Sequence, residues 1–195
     1  MTPAASDALI LGGGPAGAAA AMVLAEAGRR VTLVRPDTPP GASLGQSIPP
    51  SARSLLEELG FARAMDEAGF VRNLGNTVAW GETPTRREAF AEDARGYHVD
   101  RGSLETLLDG VLRSAGVDVR AGLHARTAER TSDGWRVSCQ GVKGGMTVLH
   151  APWVVDATGR HGVRARRLGR VPDRRTSTLA LVGRWRVSHR PDDPD

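Results

Sequence analysis

The feature that most constrains this chain is the run Gly12-Gly13-Gly14-Pro15-Ala16-Gly17 together with its flanks. Ala8-Leu9-Ile10-Leu11, just before it, is a short apolar run ending at glycine, the pattern of a strand covered on both faces. The stretch AAAAMVLAEAG that follows is strongly helix-forming. Pro15 suits the first helical turn, where its missing N–H costs nothing, and Gly28 suits the stop. Arg30 to Val34 then reads as a second strand. Strand, glycine turn, helix and strand make a βαβ unit, and the glycines at 12, 14 and 17 fit G-x-G-x-x-G in the context that motif requires. Gly12 permits the tight turn, Gly14 lets a pyrophosphate approach the backbone, and Gly17 lets the helix pack on the sheet. The free N–H groups at the helix start would face the anion. A dinucleotide ligand is the expectation. At the end of the second strand, where an acidic residue usually bonds ribose hydroxyls, stands Arg35, with Asp37 two residues on. Arg there can mark NADP through its 2′-phosphate, or it can lie along the adenosine of FAD, so this unit alone leaves both open.

The remaining residues bound the alternatives. The single cysteine, Cys139, excludes an intramolecular disulfide, a Cys-pair redox centre and a Cys-rich zinc site. The five His residues (98, 124, 150, 161 and 189) have no ligand spacing, so no metal site is expected. No apolar run approaches the roughly 20 residues of a membrane span, and MTPAASD is no signal pattern, so the chain reads as cytoplasmic. The net charge of +4 comes with basic side chains that are almost all Arg. The Arg-rich stretch from Arg160 to Arg175 lacks the aromatic interleaving of a nucleic-acid reader, and no nucleic acid is expected as partner.

Along the chain, Pro36 to Pro50 reads as loop, followed by a Ser51-capped helix to Leu59 and a short helix from Phe61 to Ala68. Thr77 to Trp80 reads as a strand, and residues 81–96 are polar and poorly patterned. Asp100-Arg101-Gly102-Ser103 leads into a helix whose Leu104, Leu107, Leu108, Val111 and Leu112 share one face, with Ser103 and Thr106 as a partial capping box. Val117 to Val119 adds a strand to the parallel sheet. Residues 123–150 form a three-stranded antiparallel meander, and Trp153-Val154-Val155 is a buried strand ending in Asp156-Ala157-Thr158-Gly159-Arg160.

In this order, GGGPAG, an inserted segment, Asp-Arg before a helix, a meander and DATGR resemble the FAD-binding domain of the glutathione-reductase-type flavoproteins. The similarity is to the branch of aromatic hydroxylases, flavin-dependent halogenases and geranylgeranyl reductases. LGQSIPPSARSLLEELG resembles that branch's G-E-S-x-P-P loop and helix, and GNTVAWG and GYHVDRGSLETLL resemble segments of its halogenase-like group. The resemblance implies an α/β, Rossmann-like fold with a parallel sheet, a β-meander crossover and a partial substrate-domain insertion. Residues 1–170 would bind FAD, with an inserted segment at about 40–98, and residues 171–195 would begin a substrate-domain sheet and polar tail. It implies an FAD-dependent oxidoreductase, monooxygenase- or halogenase-like, acting on an organic substrate, aromatic ones included, with NAD(P)H as reductant. A partner subunit or protein substrate, a non-catalytic flavin-binding module and an NADP-binding dehydrogenase are the alternatives.

By the same resemblance, Gly12, Gly14, Pro15, Ala16 and Gly17 would lie along the FAD pyrophosphate, and Arg35 near the adenosine ribose. Gln46, where Glu is commoner in the family, and Ser47 would approach the flavin. Arg101 would reach the phosphates or ribityl chain, Ala125 would contact adenine through its backbone, and Asp156 and Gly159 would close over the cofactor. A strand-end Asp also suits a turn cap. The halogenases resembled here use a Lys early in the chain, and none precedes Lys143. No general acid or base is nominated; His98 and His161 flank the expected cofactor edge. Relatives are longer, and the chain reads as a truncated member.

Overall fold

A computed structural model describes residues 6–37, 45–91, 95–171, 181 and 183. The substrate-domain sheet expected within residues 171–195 lies almost wholly outside the described residues.

The opening βαβ unit forms as its sequence dictates. Strand β1 (Ala8–Leu11) is buried throughout, as a four-residue apolar run in mid-sheet must be. Helix α1 (Pro15–Glu26) starts with Pro in its first turn. It stops where Gly28, at φ 74°, donates to the Ala25 carbonyl while the Arg29 N–H reaches the Leu24 carbonyl, a Schellman closure. Strand β2 (Val31–Val34) is again fully buried.

The chain then departs from the sequence reading. Pro36 to Pro50 is not all loop: Gly45–Ile48 is strand β3. The expected Ser51 cap is absent; Pro50–Ala52 makes a 3₁₀ turn leading into α2 (Arg53–Glu58) with no side-chain cap bond. Helix α3 (Ala62–Glu67) follows, then β4 (Val71–Asn73). The strand placed at 77–80 lies at Gly75–Val78 (β5), and it pairs with β6 (Arg86–Ala89) inside the stretch read as patternless. Strand β7 (Gly96–Asp100) runs between β3 and β4 in an antiparallel sheet. Helix α4 (Arg101–Ser114) is capped by Asp100, whose carboxylate accepts the Ser103 N–H at 3.0 Å, rather than by the Ser103–Thr106 pair.

Strand β8 (Asp118–Arg120) completes one side of the parallel sheet. The meander comprises β9 (Leu123–Thr131), β10 (Gly134–Gly141) and β11 (Met146–Ala151). Strand β12 (Trp153–Asp156) returns to β1, giving the order β12-β1-β2-β8. Among the described residues it is an edge strand, and Trp153 is 69% exposed, so the expected full burial fails there.

The alternation of the parallel strands divides the interior into two layers. Ile10 and Leu33 face the helices, packing with Met22, Leu108 and Leu112. Leu9, Leu11 and Val34 face the other way, against Val137, Cys139 and Ala128 of the meander. Full burial of each such aliphatic side chain is worth roughly 1.5–3 kcal/mol, which holds helices and meander on opposite faces of one sheet. The register sets Leu11 beside both Val34 and Asp156, so β1, β2 and β12 end at a common rim. Beyond the carboxyl ends of parallel strands lies the usual crevice for ligands in such folds. Among the described residues, no helix is long and apolar enough to cross a membrane.

A dinucleotide cavity at the rim of the parallel sheet

At that rim lies a cavity of about 710 Å³, within the range of small-molecule and cofactor sites. Its floor is Gly12 to Ala16. Gly12 adopts φ 109°, and a Cβ there would run into the Ala157 carbonyl. At Gly17 a Cβ would strike the Gly12 carbonyl oxygen. Both glycines are therefore fixed by close packing inside the fold. Gly14 differs. The nearest atom to a Cβ built there is Arg101 Nη2, at 3.7 Å, so the space above it belongs to the cavity. No side chain caps the start of α1, and its first N–H groups point out of the helix toward that space.

The wall of α4 supplies Arg101 and Glu105, joined at 2.9 Å. Arg35 leaves the end of β2 and lays its stem across Gly13, where a Cβ would collide with it. Its Nε and Nη2 donate to Asp109 at 3.0 and 2.7 Å, and its Nη1 donates to the Pro36 carbonyl at 2.9 Å. The bond to Asp109 raises the Arg35 pKa further still, against the opposing effect of burial.

The far end is lined by Leu123, His124, Ala125 and Arg126 of β9. The β9–β10 register shifts between Ser138 and Cys139, from Thr127 to Ala125, so Arg126 sits on a bulge. Bulges re-aim side chains, and this one serves the cavity wall.

The second motif closes the site from β12. Ala157, Thr158 and Gly159 line the cavity, but Asp156 acts behind it. Burial alone would raise its carboxyl. The Thr158 hydroxyl at 2.5 Å and the backbone N–H groups of Arg164, Thr158 and Ala165 outweigh that and hold it below the usual carboxylate range. Those bonds fasten the 158–165 segment, which carries Val163, Arg166 and Arg167 to the cavity.

Of the residues singled out in the sequence, Gly12, Gly14, Pro15, Ala16, Arg35, Arg101, Ala125 and Gly159 come together at the wall, and Gly17 packs just beneath. Gln46 and Ser47 do not line it. They lie on β3, opposite Val99 and His98, with Ser47 Oγ 2.8 Å from His98 Nδ1. Sequence reasoning missed Glu105, Asp109, Arg126, Arg166 and Arg167. The 101, 105, 109 spacing on α4 was a readable helical face, and the Arg run was seen as charge rather than as cavity wall. Among the described residues, the lining holds five arginines against one carboxylate, Glu105. That balance, with the helix start, suits a diphosphate. Among the described residues, no cluster of His, Cys, Asp or Glu is arranged to hold a metal ion.

The parallel sheet with covered faces, the glycine floor and the cationic wall define a dinucleotide-binding protein of the Rossmann-like class. The FAD binding domain family matches residues 5–184, and the chain belongs to that family. The chain is 30% identical to flavin-dependent halogenase armH3 of Armillaria mellea, over 95% of this chain and 39% of that protein. It is likewise 30% identical to tryptophan 2-halogenase of Chondromyces crocatus, over 84% of this chain and 32% of that one. Among solved structures, the flavin-dependent halogenase CmlS superposes with a TM-score of 0.74 at 25% identity, covering 86% of this chain and 32% of its own. A flavoprotein/dehydrogenase from Cytophaga hutchinsonii gives a TM-score of 0.73 at 25% identity, covering 84% and 42%. The chain thus spans about two fifths of the length of relatives such as armH3. Over its own length the chain is thus similar to the FAD-binding part of flavin-dependent halogenases.

Proposed function

We propose that this cavity holds FAD with its diphosphate over Gly14 and its adenosine toward Ala125, and that the chain serves an oxidation of an organic, aromatic substrate with NAD(P)H as reductant. The observation that carries this reading is the convergence on one open space of a bare helix N-terminus, Arg101 Nη2 and an unobstructed Gly14. The residues present fit the cofactor: a diphosphate needs donors without a Cβ in the way, and Gly14 is the floor glycine that faces open space. The N–H groups at the start of α1 would donate to the diphosphate oxygens, and Arg101 would neutralise charge from the α4 side. Glu105 would hold the Arg101 guanidinium in place. Asp156 would act at one remove, keeping the segment of Arg166 and Arg167 against the cavity. When bound, the flavin supplies the redox and oxygen chemistry, and the protein supplies binding, orientation and electrostatics.

The halogenase relatives suggest the substrate class, and the absence of Lys before Lys143 argues against Lys-dependent halogenation. Arg35 does not favour NADP, because Asp109 already occupies its guanidinium. The test is Gly14→Val. Its side chain would enter the cavity without disturbing packed backbone, so FAD binding should be lost while far-UV circular dichroism stays that of the parent. FAD affinity equal to the parent's would sink this placement.

A further inference from the structure

We infer that Arg126 and Arg166 draw the anionic dinucleotide into the cavity, setting its rate of entry and leaving its rate of escape nearly unchanged; this rests on the reading that the cavity holds FAD. The other arginines of the lining each have a carboxylate partner. Asp109 takes Arg35 at 2.7 Å, Glu105 takes Arg101 at 2.9 Å, and Glu129, shared with Arg136, takes Arg167 at 3.4 Å. Arg126 and Arg166 have no carboxylate partner among the described residues. Arg126 gives its Nε to the Gln140 side chain at 2.9 Å. Both line the cavity and both are exposed, so their charge faces the cavity and solvent together.

The frame beneath them is fixed. Arg126 stands at the β9 bulge. The segment carrying Arg166 is fastened by Asp156 through the Arg164 and Ala165 N–H groups, and the Arg164 guanidinium lies over the Trp135 ring at 5.3 Å. Arg167, next to Arg166, reaches Glu129 of β9, so the uncompensated charges gather at the β9 end of the cavity. A diphosphate seated over Gly14 meets the start of α1 and Arg101 instead. Ala125, beside Arg126, would meet adenine, which is uncharged. A charge that attracts without touching acts on a dinucleotide at the mouth about as strongly as on one seated inside. It therefore speeds entry and cancels from escape, whereas a charge in direct contact slows escape. The attraction also reaches far into dilute buffer, where the Debye length is about 30 Å at roughly 10 mM salt.

The experiment follows FAD binding by stopped-flow quenching of flavin fluorescence across a series of salt concentrations. Arg126→Gln and Arg166→Gln should each slow entry about threefold at low salt, and together about tenfold, by weakening the field on a dianion. The differences should vanish above about 0.5 M salt, and escape should stay within about 1.5-fold of the parent. The Lys variants at both positions should enter as fast as the parent, because charge and not fork geometry is what acts. Arg29→Gln is the control for net charge: Arg29 lies beyond the far end of α1, roughly 18 Å from the cavity floor, and its loss should change entry little. Should a Gln variant fold poorly, the parent alone decides, since its entry rate should fall steeply with salt. Entry unmoved by the Gln variants, faster escape, slowing that persists at high salt, or a parent rate indifferent to salt overturns this inference alone. A parent chain that binds no FAD overturns it together with the cofactor reading.

Discussion

At the scale of single residues, three glycines in one motif have different tasks. Gly12 and Gly17 are held by contacts within the protein, and Gly14 faces space meant for a ligand. Gly17→Ala should therefore destabilise the fold by about 1–3 kcal/mol through overpacking, despite Ala's better helix propensity. Gly14→Ala, at a cap position, should cost under about 1 kcal/mol. Urea denaturation of the two variants checks this; equal stabilities would contradict the packing. Asp156 is a second case. Its folded-state carboxyl lies below the usual range, so its contribution is present above the unfolded-state pKa and is lost as pH falls through the folded value. Asp156→Asn should cost about 1 kcal/mol at neutral pH, the penalty for spoiling a part-buried hydrogen-bond hub. The gap to the parent should close on acidification below about pH 4. A gap that persists unchanged in acid would show that the charge is not what matters. The glycines were legible in the sequence because spacing alone defines them. The role of Asp156 was legible only as a choice between cofactor contact and turn cap, since the bonds that decide it come from residues up to nine positions further along.

At the scale of elements, legibility followed hydrophobic pattern. β1, β2, α1, α4 and the meander carry continuous, helical or alternating apolar residues, and each formed where the pattern placed it. β3 and β6 did not show themselves because their residues are largely exposed on both faces, so there was no alternation to read. β7 has the alternation, with Tyr97 and Val99 buried beside exposed His98 and Asp100, but over only five residues. The cap of α4 went to Asp100 instead of Ser103 because the carboxylate one residue outside the helix reaches the Ser103 N–H. Asp100→Ala should lower stability by about 1 kcal/mol, measured by thermal or denaturant unfolding, and no loss would show the cap to be unimportant.

At the scale of the whole molecule, one sheet with helices on one face and a meander on the other brings parts from across the chain to a common rim: Gly14 from the first turn, Arg101 from α4, Ala125 from β9 and Gly159 from beyond β12. The sequence showed the order of these parts, which is why the family could be read from it. It could not show which side chains pair across the fold, as Arg35 and Asp109 do, because such pairing depends on tertiary approach. The placement of Gln46 and Ser47 on β3, away from the cavity wall, has the same origin. The most direct measurement is the visible absorption spectrum of the purified chain after incubation with FAD and removal of unbound ligand. A retained flavin band, released as FAD on denaturation, is the expected result. A chain that retains no flavin yet binds NADP saturably would contradict the assignment of this cavity to FAD.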